Sequence, residues 1–245
     1  MKFDLRVRTR FYLAISVTII VVFILFFLFS PFFHIQYIEV IGNSRITQQE
    51  IIERLDIGEN AHLLLFNAKE ARKRIMENIY IADVEIERVL PGRMYVTITE
   101  RRLTAYYEHI PGSFLYLDDR GRVLEMKTYF TEPLPVLEGL HFTRFALGEI
   151  LEVDDTAAFN VIVQYAQLLN QHDLIDQISY INISDAANIR IVAHRIEFNV
   201  GGVSDADEKV RSIAAILEAM PNLGLIPGFV DMREIKPEYV LVLLQ

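Results

Sequence analysis

The chain contains no cysteine. That excludes a disulfide scaffold, a thiolate zinc site and a cysteine nucleophile. Histidine is sparse: His34, His62, His109, His141, His172 and His194 are scattered, so no local two-histidine metal motif exists. A phosphate-cradling glycine loop, a nucleophile elbow and a Ser-x-x-Lys motif are also missing. A serine paired in space with a lysine or histidine stays open at this level. Basic residues fall short of acidic ones, 24 against 33, for a net charge of -9. That balance argues against a nucleic-acid partner, because phosphates must be neutralised by Lys and Arg. Asp118-Asp119 and Asp154-Asp155 are adjacent carboxylates, but strand neighbours point to opposite faces and turn neighbours face water. Neither pair sits in a calcium loop with ligands at alternating positions. No cofactor is implied.

What is present starts with residues 11–29, which carry no charge. As a helix at ~1.5 Å per residue they would reach ~28 Å, near the ~30 Å of a bilayer core. A cleaved signal peptide is the alternative, but the run is long and ends in Pro31-Phe32-Phe33-His34 with no small-residue cleavage site. Lys2, Arg6, Arg8 and Arg10 against Asp4 leave the preceding tail net positive. The positive-inside rule then predicts a cytoplasmic tail over 1–10, a transmembrane helix over 11–33 in contact with the lipid bilayer, and the remainder outside. The expected localisation is the plasma membrane, single-pass.

Ile35 to Ile41 reads as a strand broken by Gly42-Asn43. Thr47-Gln48-Gln49-Glu50 is a capping box ahead of Ile51, Ile52 and Leu55. Asn67 starts a second helix carrying Ala71, Ile75 and Ile79 at helical spacing. Val84 to Glu87 alternates as a strand, Leu90-Pro91-Gly92 turns, and Met94 to Thr99 alternates again, with Met94, Val96 and Ile98 on one face. Strand, helix, helix, strand, strand can make a two-layer α+β domain.

That order, with Ile38-Glu39-Val40-Ile41-Gly42-Asn43, Arg88-Val89-Leu90-Pro91-Gly92 and Glu100-Arg101-Arg102-Leu103-Thr104-Ala105, resembles a POTRA domain of the FtsQ/DivIB family of bacterial cell-division proteins. Where many members have proline and valine before the exit alanine, this chain has Leu103-Thr104. The POTRA-like domain is expected over 34–103.

Residues 104–245 predict a mostly antiparallel sheet with two helices. Tyr116 to Leu124 reads as a hairpin with Asp119-Arg120-Gly121 as its turn, and Pro133, Pro135 and Gly139 mark a loop. Phe159, Ile162, Val163, Ala166 and Leu169 fall at helical spacing, as do Val210, Ile213, Ile216, Leu217 and Met220. Arg195 to Val200 alternates strictly, and final strands are expected at Phe229–Arg233 and Tyr239–Leu244. The segments Leu117 to Gly121, Leu134 to Gly139, Phe198 to Gly201 and Val230 to Arg233 resemble the β-domain that follows the POTRA unit in FtsQ/DivIB proteins.

The resemblance implies a non-enzymatic, bitopic divisome scaffold that links membrane division proteins at the septum. A membrane-anchored cell-wall hydrolase or peptidase is the competing class. The resemblance also implies partners of the FtsB/DivIC and FtsL type, bound near the chain's end. There Tyr239, Val240, Leu241, Val242 and Leu243 belong to an apolar run with no charge or proline inside it. An interior strand covered on both faces accounts for that run, and so does an edge kept open for a partner's strand.

Overall fold

The computed structural model describes residues 3–28, 30–129, 133–219, 228–235 and 241–243. The chain divides into two compact units, Met1–Glu100 and Arg101–Gln245.

The first unit begins with helix α1, Phe3–Leu28. It does not extend to residue 33: Ser30 caps a separate 3₁₀ turn, Pro31–Phe33, because proline fixes φ and lacks the N–H that a continuing helix needs. Among the described residues, no helix is long and apolar enough to cross a membrane. This corrects the expected span over 11–33, and with it the single-pass plasma-membrane topology.

Beyond α1 the unit has the predicted strand-helix-helix-strand-strand order: β1 Tyr37–Ile41, α2 Gln48–Leu55, α3 Ala68–Met76, β2 Ile81–Val89 and β3 Arg93–Glu100. The sheet order is β1-β3-β2, with β1 parallel and β2 antiparallel to β3. Register puts Ile38 beside Met94, Val40 and Ile86 beside Val96, and Val84 beside Ile98. These residues pack with Ile51 and Leu55 of α2 and Ala71 and Ile75 of α3 in one core. The helix ends follow from local chemistry. Thr47 Oγ1 accepts from Glu50 N at 3.2 Å and Asn67 Oδ1 accepts from Glu70 N at 3.2 Å. The capping box is only half made, since the Glu50 carboxylate takes Arg54 and Asn78 instead. At the other end of α2, Arg74 donates to the carbonyls of Arg54 and Leu55, at 3.0 and 2.7 Å.

The loop between β1 and α2 is held from the far end of the unit. The Glu100 carboxylate accepts three backbone N–H groups, of Ser44 at 3.0 Å, Arg45 at 2.8 Å and Ile46 at 2.9 Å. Gly42 lets the loop enter at φ +85°, where a Cβ would lie 2.3 Å from the Ile98 carbonyl oxygen.

The second unit is built on a nine-stranded sheet of order β14-β13-β12-β11-β10-β7-β4-β5-β6. Its strands are β4 Ala105–Ile110, β5 Ser113–Leu117, β6 Val123–Lys127, β7 Val136–Glu138, β10 Ile178–Asn182, β11 Ile189–Ala193, β12 Ile196–Gly201, β13 Gly228–Asp231 and β14 Leu241–Leu243. A separate hairpin pairs β8, Phe142–Arg144, with β9, Glu152–Val153. The sheet is mixed: β7 runs parallel to both β4 and β10, and β13 runs parallel to β12. Helices α4 Thr156–Gln171 and α5 Ala206–Ala219 pack beside each other and bury Phe159, Ile162, Tyr165 and Leu169, and Val210, Ile213 and Leu217. The expected loop over 133–139 contains β7, which lies inside the sheet. Its parallel neighbours come from distant parts of the chain, so no local hairpin signal announces it.

Two predictions follow from the first unit. Ile98 is 3% exposed, and Ile98→Asp or Ile86→Asp should remove the unit's cooperative melting, since an unpaired carboxylate in an apolar core costs about as much as a small domain's stability, roughly 5 kcal/mol. Unchanged thermal melting followed by circular dichroism would refute this packing. Glu100 supplies the second. Burial alone would raise its pKa, but the N–H groups of Arg45, Ile46 and Ser44 outweigh that and hold the carboxyl below the usual glutamate value. A depressed folded pKa gives stability that is present above the unfolded value, about 4.3, and is lost as pH falls through the folded value. Glu100→Gln should therefore lower the melting temperature at about pH 7, and its deficit should vanish at low pH; a pH-independent deficit would contradict the charge-based account.

Candidate partner-binding edge

β14 ends the nine-stranded sheet. Among the described residues it pairs with β13 alone, antiparallel, with Leu241 opposite Val230, Val242 opposite Phe229 and Leu243 opposite Gly228. A strand in that position turns one row of N–H and C=O groups away from its sheet. Of the residues predicted to meet a partner, Leu241, Val242 and Leu243 form this strand, whereas Tyr239 and Val240 lie outside the described residues.

The strands behind β14 are pinned by a main-chain bond and by side chains that reach main chain. Met232 N donates to Asn199 O at 2.8 Å, and Gly201 N to Asn199 Oδ1 at 3.1 Å. Lys209 of α5 is 1% exposed and donates from Nζ to Val200 O at 2.8 Å. Burial pushes its ammonium pKa down, with Asp205 opposing. Tyr165 of α4 donates to Gly202 O at 2.9 Å, and burial pushes its phenol well up. Both helices thus hold the exit of β12, the second strand in from the edge. Sequence periodicity missed Lys209, because a lysine flanking an apolar helix stripe ordinarily reads as solvated.

At the opposite end of the sheet, β6 is met by another segment at Val123. Val123 of β6 donates its N–H to Glu149 O at 2.9 Å and accepts from Gly148 N at 2.8 Å, while the Arg122 guanidinium also bonds the Gly148 carbonyl. Glu125 and Lys127 form an ion pair further along the same strand.

The paired carboxylates at the β5–β6 turn are structural. The expectation that both face water is corrected for Asp118, which is 4% exposed. Its Oδ1 accepts the N–H groups of Arg120 and Arg122 at 2.9 and 2.8 Å, and its Oδ2 accepts from Arg101 at 3.2 Å. A β-turn leaves its central N–H groups unpaired, and a short acidic side chain one position earlier can fold back to take them. Asp119 beside it has its pKa raised, first by burial and then by the Asp118 charge. Gly121 completes the turn at φ +73°, with the Phe159 ring where a Cβ would stand. Asp154 and Asp155 also separate in role: Asp155 caps α4 through Ala158 N at 2.9 Å. Among the described residues, no group of three or more His, Asp or Glu is placed to hold a metal ion.

Asp118→Ala should destabilise the second unit by roughly 3 kcal/mol, since it strands a largely buried guanidinium and two N–H groups. A denaturant midpoint equal to that of the parent chain would remove Asp118 from this role.

Residues 33–101 match the POTRA domain of FtsQ type. Over 204 residues the chain is 27% identical to the cell division protein DivIB of Clostridium tetani, covering 82% of this chain and 77% of that protein. With the DivIB of Clostridium botulinum the identity is 24% over 230 residues, covering 93% and 89%. A cell division protein FtsQ, from Bradyrhizobium diazoefficiens, is 28% identical over 113 residues, 45% of this chain and 33% of its own. The match reaches from the three-stranded unit through the nine-stranded sheet in the DivIB relatives: the chain carries a POTRA domain of FtsQ type and is similar along most of its length to DivIB cell-division proteins.

Proposed function

We propose that the protein is a non-enzymatic scaffold of the divisome that binds its partner by adding that partner's strand to β14. The family supplies the first half of this reading: the relatives matched are cell division proteins, and divisome-associated interactions come with membership. The competing hydrolase class has nothing here to recommend it. The adjacent carboxylates serve a turn and a helix cap, and the chain has no cysteine.

The observation that carries the second half is the asymmetry of the large sheet. Its β6 end is bonded to the segment over 148–149, whereas β14 pairs on one side only among the described residues. A strand added there would gain main-chain hydrogen bonds for affinity and alternating side-chain positions for specificity. The partner of this reading is of the FtsB/DivIC type, in complex with a protein of the FtsL type. The contact residues are Tyr239, Val240, Leu241, Val242 and Leu243. Tyr239 is the proposed anchor, since aromatic residues dominate many interfaces.

Val242→Pro removes one backbone donor from the strand. It and Tyr239→Ala should each weaken co-purification of the full chain with that partner about tenfold or more, while the exposed Glu218→Ala should not. Circular dichroism separates this from unfolding. A folded Val242→Pro variant that retains the partner normally would sink the proposal.

A further inference from the structure

The first unit has an end strand of its own, and it is treated differently from β14. β2 pairs with β3 and ends the three-stranded sheet. At nine residues it is also a long edge, the kind that invites pairing with another chain. Its outward groups are taken at one place. Val84 N donates to Asp83 Oδ1 at 2.8 Å, and Val84 O accepts from Arg72 Nε at 2.9 Å. The same guanidinium joins the same carboxylate, Arg72 Nη2 to Asp83 Oδ1, at 2.6 Å. One ion pair, reaching from α3, therefore closes both polar groups of a single residue on the edge.

Since Val84 spends its N–H and C=O away from β3, alternation makes Ile86 and Arg88 the next residues whose backbone groups point outward. A second feature lies on the face opposite the core. Glu85 and Glu87 are exposed, and neither has a side-chain bond among the described residues. If two copies paired antiparallel through β2 with Ile86 facing its counterpart, Glu85 of each would stand opposite Glu87 of the other. Like charges directly across strands are destabilising.

We propose that the Arg72–Asp83 clasp, together with Glu85 and Glu87, guards the β2 edge against pairing with a second copy of the chain. The clasp blocks the backbone at Val84, and the carboxylates penalise the register in which the two core faces would align. Hydrogen bonding to Arg72 and then to Val84 N holds the Asp83 carboxyl below its usual range, which keeps the clasp charged into mild acid.

The test is self-association of the full chain by sedimentation velocity across a concentration series. Four forms are compared: the parent, Arg72→Leu/Asp83→Ala, Glu85→Thr/Glu87→Thr, and the combination of all four changes. The combined variant should self-associate about tenfold more tightly than the parent or better, and the two partial variants should fall between. Adding Arg88→Pro to the combined variant, which removes an outward donor at a position that tolerates proline, should return it to the parent's behaviour. Amide exchange at Val84 should speed up in Arg72→Leu/Asp83→Ala. A folded combined variant that associates no more than the parent overturns the proposal, and so does association that Arg88→Pro leaves intact.

Discussion

A β-sheet has to do something with the hydrogen-bonding groups at its two ends, and this protein is organised around that constraint. Three ends receive three treatments. At β6 a returning segment supplies backbone partners to Val123. At β2 a helix lends an arginine that, with a neighbouring aspartate, satisfies Val84. At β14 the partner among the described residues is β13 alone. Closure by main chain is permanent, whereas closure by an exposed ion pair rests on two side chains that compete with water. That contrast shows one chain treating the ends of its sheets in different ways.

The same economy appears in three charged side chains, two of them buried. Asp118, Lys209 and Glu100 each spend their charge on backbone groups that the fold would otherwise leave unpaired: turn N–H groups, a strand-end carbonyl and three loop N–H groups. Charge-assisted hydrogen bonds of this kind are stronger than neutral ones, which offsets part of the cost of removing the ion from water.

Much of this was readable before any coordinates. Alternation in Met94–Thr99 gave the core face of β3, and Thr47 and Asn67 marked two helix starts, because these signals depend on neighbours in sequence. Asp118 was misread for the opposite reason: its burial depends on Arg101, seventeen positions away, which sequence spacing does not reveal. β7 was hidden just after Pro133 and Pro135, since a three-residue strand whose neighbours are parallel carries no periodicity of its own. The apolar N-terminal run was read as one helix to residue 33 from its length and lack of charge, but α1 ends at Leu28 and Ser30-Pro31 starts a separate 3₁₀ turn. At the chain's end the sequence left interior and edge equally open, because strand order is a property of the whole sheet and not of one apolar run.

Glu100 and Arg101 are consecutive, and each is committed to a different unit: the carboxylate to the loop at Ser44–Ile46, the guanidinium to Asp118. One peptide bond therefore separates the two sets of obligations. For anyone dissecting the chain this leaves a single clean place to divide it. A first fragment ending one residue early would lose the acceptor for three backbone N–H groups. A second fragment beginning one residue late would leave Asp118 without its guanidinium.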